Sequence, residues 1–178
     1  MHSSSPANSK RQSVIVGKTD IMDEITLGEA DARRLREAIR LSADARRAGN
    51  MPYGALLVSA TNEVLLGAGN TQVTGRDCTG HAETNLMREA SRRFDREILA
   101  GSTVYASGEP CPMCAGAIYW SGVRRVVYAL SIATMRELGG AGADELALPC
   151  REVMARGART VEVIGPAMQA EARRVFED

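Results

Sequence analysis

The 178-residue chain balances 22 basic against 22 acidic side chains, is 44% hydrophobic and 4% aromatic, and carries four Cys and two His. A domain of this size buries roughly 70% of its unfolded surface, so neither disulfides nor metal are needed to hold it together, and any metal would be there for chemistry. The zero formal charge excludes the clear basic excess of most nucleic-acid-binding domains. Residues 19–178 are net −3, because Lys10, Arg11 and Lys18 precede every acid. Residues 1–20 are polar and Ser-rich, without an apolar signal region. They are expected to form a flexible tail before a single domain, residues 21–178. No apolar run approaches the roughly 18–20 residues of a membrane span. The expected compartment is the cytoplasm, where cysteines are thiols or metal ligands rather than disulfides.

Thr26-x-x-Glu29 has the spacing of a capping box. It opens a predicted helix with Leu35, Ala38, Ile39, Ser42 and Ala45 on one face, ended by Gly49 in a left-handed conformation. Apolar runs at 55–59 and 63–68, separated by Ala60-Thr61-Asn62, predict a hairpin. A loop rich in Gly, Thr and Asp covers 69–80. The spacing of Leu86, Met87 and Ala90 predicts a second helix from His81. A strand at 103–106 runs into Pro110-Cys111-Pro112, which starts a third helix closed by Gly122. There follow a strand at 125–129, a short helix after Ser131, a Gly-rich loop at 139–149, a helix from Cys150, a strand at 161–164 and a helix from Met168. That order predicts an α/β fold, a three-layer α/β/α sandwich around a mixed five-stranded sheet.

His81-Ala82-Glu83 and Pro110-Cys111-Pro112-Met113-Cys114 carry the chemistry. Each opens a helix, and first-turn side chains lean toward the helix N-terminus, so both sets reach the space in front of their helix ends. His81, Cys111 and Cys114 would hold one tetrahedral zinc per chain with one open position. Such a site lowers the pKa of bound water to about 7. Glu83, not itself a ligand, is placed to move protons. Two other readings stay open. Cys-x-x-Cys by itself is the spacing of a thioredoxin-like redox pair. Cys78-x-x-His81 would supply a fourth ligand, giving a closed Cys3His zinc in a non-catalytic binding module with Glu83 on the surface.

These motifs match the H-x-E…P-C-x-x-C pattern of zinc nucleobase deaminases. With Pro52-Tyr53-Gly54-Ala55, Asn70 and Glu109-Pro110-Cys111-Pro112-Met113-Cys114-Ala115-Gly116-Ala117, the chain resembles the cytidine and deoxycytidylate deaminase superfamily, particularly its bacterial guanine deaminases and tRNA adenosine deaminases. The resemblance implies a cytidine-deaminase-like fold and hydrolytic deamination of a nucleobase or nucleoside, with Glu83 shuttling the proton. It implies that Asn70 and the Ala82 N–H contact the base, and that Asp144 and Glu145 form the acidic pair that guanine deaminases place over it. Guanine is the expected substrate. Adenosine in tRNA is the runner-up, and cytosine and guanosine remain open. A homodimer is expected by resemblance, and tRNA is disfavoured by the acidic domain. Of the remaining features, Cys150 reads as a small buried hydrophobe. Tyr119 and Trp120 read as core or subunit-interface residues. The Arg pairs at 33/34, 46/47, 92/93, 124/125 and 173/174 read as solvated helix faces.

Overall fold

The computed structural model describes residues 25–139 and 146–177; the expected tail at 1–20 lies outside them. Helix α1 (Glu29–Arg47) is followed by the hairpin β1 (Gly54–Val58) and β2 (Val64–Gly69). A single turn α2 (Gln72–Gly75), then α3 (Ala82–Arg93), α4 (Arg96–Gly101) and β3 (Thr103–Gly108) come next. The chain continues through α5 (Pro112–Ser121), β4 (Arg125–Leu130), α6 (Ile132–Leu138), α7 (Cys150–Ala155), β5 (Glu162–Ile164) and α8 (Gln169–Glu177). The sheet runs β2-β1-β3-β4-β5. Antiparallel pairing joins β1 to β2 and to β3, and parallel pairing joins β3, β4 and β5.

Strand periodicity builds the three layers. Successive residues of β1, β3 and β4 point to opposite faces, and the register aligns Leu57 with Val104 and Val104 with Val126. On that face these residues pack with Ala82, Leu86, Ala90, Ala115, Ile118 and Met154 of α3, α5 and α7. Leu56, Tyr105 and Val127 turn the other way and pack with Leu35, Ala38, Ile39 and Ala172 of α1 and α8. Strand β1 is therefore buried throughout. Each fully buried Leu or Val contributes about 1.5–3 kcal/mol relative to exposure, so both helical layers are held mainly by these facing rows.

The buried face of α1 is the expected one, Leu35, Ala38, Ile39, Ser42 and Ala45. Its start is not. The N-cap is Gly28, without a side-chain cap, so Thr26 and Glu29 form no capping box; the helix begins two residues later than that box required. Gly49 (φ 84°) and Gly122 (φ 101°) take the left-handed backbone expected after α1 and α5. Helices α2 and α4 were not foreseen, because neither is long enough to show an apolar period. Asp95 nevertheless marks α4 in the usual way, its carboxylate accepting the Ile98 N–H at 3.0 Å.

Two surface expectations change. Arg125 is not on a solvated helix face: it begins β4, and its guanidinium grips both oxygens of Asp31 on α1 at 2.9 and 2.7 Å. The Tyr105 hydroxyl donates to the same carboxylate at 2.6 Å. Trp120 is 81% exposed and so is not a core residue of the chain. None of the helices is long and apolar enough to cross a membrane among the described residues.

The hydrogen bonds from Arg125, opposed by burial and helped by Tyr105, hold the Asp31 carboxyl below its usual value of 3.8. A carboxylate with a depressed folded value adds stability that is complete above the unfolded value and lost as the pH falls through the folded one. Asp31→Asn should therefore lower the unfolding free energy by about 2 kcal/mol at pH 7. In denaturant titrations, the gap from the parent protein should narrow once the pH drops below 3.8.

Candidate active site

The site lies beyond the carboxyl ends of the parallel strands β3 and β4, where open α/β sheets place their ligand crevices. Two helix starts meet there. His81 is the N-cap of α3, with extended backbone (φ −69°, ψ 149°), and Cys111 is the N-cap of α5 (φ −62°, ψ 168°). Pro112 occupies the first turn of α5, where its fixed φ suits a helix start and its missing N–H costs nothing. Cys114 and Glu83 sit in the first turns of α5 and α3, and both are buried. Extended caps turn the His81 and Cys111 side chains across the helix ends.

The ligand atoms of His81, Cys111 and Cys114 all lie within 4.8 Å of one another. His81 Nδ1 is 3.6 Å from Cys111 Sγ. A tetrahedral zinc with nitrogen at about 2.0–2.1 Å and sulfur at about 2.3 Å separates such a pair by roughly 3.5 Å, so the donor set fits that ion. Cys78 is exposed and falls outside this group. The arrangement is a three-ligand, open set rather than a closed Cys3His set. Thr84, in the first turn of α3, is 3.3 Å from Cys114 Sγ. Its hydroxyl is a donor for a ligating thiolate, a partner that orients the ligand.

The charges are arranged for a cation. The hydrogen bond from Cys114, with that from His81, draws the Cys111 thiol far below its ordinary range against the opposing effect of burial. The same bond from the other side, together with burial, pushes Cys114 up. The two thiols are driven in opposite directions by their shared bond, and a bound divalent cation would make both thiolates favourable. Burial raises the Glu83 carboxyl to about 7, partly offset by a hydrogen bond from its own main-chain N–H. A carboxyl there exists in both protonation states near neutrality, which is what a proton shuttle requires.

A cavity of about 310 Å³ opens over this cluster. Besides His81, Glu83 and Cys111 it is walled by Tyr53, Cys78, Pro112, Met113, Met135 and Leu146. Tyr53 is backed edge-on by Phe176 of α8, with ring centroids 5.7 Å apart. The loop carrying Cys78 is tied to α3 by the Asn85 amide, which donates to Gly69 O and Thr71 Oγ1 at 3.1 and 2.9 Å.

The structure therefore brings His81, Glu83, Cys111 and Cys114 together as expected, while the four anticipated substrate contacts fare differently. Asn70 is buried at the end of β2. Its N–H reaches the cavity wall at Tyr53 O, 2.9 Å away, while its carboxamide is engaged with Gln72. Ala82 is the first residue of α3, so its N–H is among those with no acceptor inside the helix. Asp144 and Glu145 lie outside the described residues. Sequence reasoning gave no part to Thr84, Met135 or Leu146. Tyr53 stood inside a quoted motif without a role. Only Tyr53 left a usable signal, as an aromatic in an otherwise small-residue turn.

An α/β/α sandwich with an open His/Cys/Cys set and a buried carboxylate beside it defines a zinc-dependent deaminase. A sequence model of the cytidine and deoxycytidylate deaminase zinc-binding region matches residues 29–130, more than half of the chain. A probable cytosine deaminase of Schizosaccharomyces pombe is 37% identical over 153 residues, 85% of this chain and 93% of that protein. The tRNA-specific adenosine deaminase of Haemophilus influenzae is 35% identical over 103 residues, 58% of this chain and 60% of that protein. A structure of guanine deaminase from Nitrosomonas europaea superposes with a TM-score of 0.69, covering 93% of this chain and 94% of that one at 21% identity, a likeness of fold. The chain belongs to the cytidine and deoxycytidylate deaminase family. It is a hydrolase acting on C–N bonds of cyclic amidines.

If the ion is held by three ligands, Cys78→Ser should retain one zinc per chain by elemental analysis with an unchanged melting temperature. Cys111→Ser should lose the zinc. Loss of metal in Cys78→Ser would restore the closed site.

Proposed function

We propose that the protein deaminates a free amino-substituted nucleobase, replacing the exocyclic amine with oxygen and releasing ammonia. The observation that carries this reading is the composition of the cavity. Among the described residues lining it there is neither Lys nor Arg, so nothing beside the reacting centre neutralises a phosphate. Its aromatic, thioether and aliphatic walls suit a flat, neutral heterocycle. Guanine is favoured by the resemblance of Asp144-Glu145 to the acidic pair of guanine deaminases, and guanine deaminase of Bacillus subtilis is 35% identical over 106 residues. Cytosine is the second reading, favoured by the Schizosaccharomyces pombe relative, which matches over far more of both chains.

His81, Cys111 and Cys114 would hold zinc, which when bound would supply Lewis-acid activation of a water near neutral pH. Glu83 accepts a proton from that water as oxygen bonds to the amine-bearing carbon, and gives it to the adjacent ring nitrogen. It then takes the remaining hydroxyl proton and delivers it to the amine as the C–N bond breaks, leaving a carbonyl and ammonia. The Ala82 N–H, at the positive end of α3, fixes the base against this pair, and Asn70 would join it by exchanging its carboxamide bonds to Gln72 for the base edge. The walls at Tyr53, Met135 and Leu146 keep bulk water away and hold the ring in plane. The homodimer rests on the resemblance alone, with Trp120 exposed on α5.

Ammonia release should be measured for guanine, cytosine, adenine, their nucleosides and tRNA with the zinc form. Turnover of a base and none of tRNA is expected; activity confined to tRNA would overturn the reading. Glu83→Gln should keep zinc and fold but lower kcat by roughly 10²- to 10⁴-fold. The net −3 of residues 19–178 leads to a separate expectation. No tRNA complex should survive about 200 mM salt in a filter-binding titration, since phosphate contacts are released steeply there.

A further inference from the structure

We propose that Glu109 is a positioning residue that fixes two walls of the cavity against the turn bearing Cys111. The kinetic half of the proposal rests on the deaminase reading above. Glu109 follows β3, stands two residues before Cys111 and is 5% exposed. Its Oε2 accepts the N–H of Ile132 at 3.1 Å and its Oε1 the N–H of Cys150 at 2.9 Å. Those are the first residues of α6 and α7. Its own N–H donates to Leu130 O at the end of β4, at 2.7 Å.

A buried carboxylate is tolerated only when its oxygens are bonded. Here each oxygen meets an N–H that no carbonyl of its own helix can satisfy, at the helix end where negative charge is favoured. The charge therefore has a specific use. It ties together three pieces of chain, 23 and 41 residues apart in sequence, that only the fold assembles. The tie bears on the site because of what those pieces carry. Helix α6 brings Met135 into the cavity wall, its sulfur occupying the space beside Gly108 that a Cβ there would take. The lead into α7 carries Leu146, also in the wall. Cys111 and Pro112 stand across from them at the other end of the same carboxylate's chain segment. Glu109 sets the distance between the metal-ligand turn and the surfaces that a base would lie against, without lining the cavity itself.

Glutamine has the shape of the residue but one acceptor oxygen, so its NH2 must face one of the two N–H groups. Glu109→Gln should therefore release one helix start while leaving the His81, Cys111 and Cys114 set in place. With the zinc-loaded full chain, the variant is expected to keep one zinc per chain and to raise KM for guanine or cytosine roughly 10- to 100-fold, with kcat within a few-fold of the parent. An unchanged KM, or a parallel loss of zinc and kcat, would overturn the positioning role. Amide hydrogen exchange provides a test that needs neither activity nor a folded variant. In the parent protein the Ile132 and Cys150 amides should be strongly protected, and exchange at unprotected rates would sink the proposal. In Glu109→Gln one of the two should lose protection. Protected amides in a parent that turns over no base would count against the substrate reading and not against the clamp.

Discussion

The arrangement on which everything else depends is the meeting of two helix N-termini, α3 and α5, beyond the ends of the parallel strands. Each helix end presents unsatisfied N–H groups and a partial positive charge, and each begins with an extended cap residue, His81 or Cys111, whose side chain crosses the gap. Neither helix could supply the set alone. The register of β1 against β3 and β3 against β4 carries the ligand positions into place, because α3 and α5 pack on the same face of those strands. A substitution that shifted that packing by an ångström would spoil the spacing of 3.6 Å between His81 Nδ1 and Cys111 Sγ before it unfolded the chain.

Hydrogen bonding then separates two kinds of buried acid, one in each of the two motif segments. Glu83 is buried without enough donors to offset desolvation, so its carboxyl rises to about 7 and can take up and release protons. Glu109 is buried as deeply, yet two main-chain N–H groups meet its oxygens. One carboxylate is left reactive and the other is consumed in holding the architecture. The contrast comes from bonding rather than depth, and exposure alone would have ranked the two side chains alike.

Much of this was legible in the sequence, for a physical reason. Residues in the first turn of a helix are confined to a small volume, so spacing and helix starts made a shared site for His81, Glu83, Cys111 and Cys114 possible, and the resemblance to the deaminase pattern selected it from the redox-pair and closed-zinc readings. The buried face of α1 and the alternation along β1, β3 and β4 were equally readable, because burial imposes a period. What escaped was what has no period. The one-turn helices α2 and α4 are too short to show one. Arg125 looked solvated because its partner Asp31 is 94 residues away. The cavity walls come from Tyr53, Met135 and Leu146, brought together by folding over most of the chain. Glu109 was visible in a motif, but its two partners are ordinary backbone groups that no side-chain pattern announces.

The same distinction bears on how this family's chemistry is apportioned along the chain. The proposed reacting set occupies two short segments, residues 81–83 and 111–114, and both fall inside the 29–130 region that matches the family model. The helices that Glu109 gathers, and the wall residues Met135 and Leu146, lie beyond it. Hydroxide chemistry and proton transfer are indifferent to which ring is presented, so they can be fixed by local sequence. Discrimination between rings depends on wall shape, and here part of that shape, at Met135 and Leu146, is contributed from beyond the matched region, facing walls at Tyr53, Cys78, Pro112 and Met113 that lie within it. A buried carboxylate within the motif that bonds directly to that distant part is the physical link between the two. It makes the choice of ring depend on geometry set from inside the reacting segment.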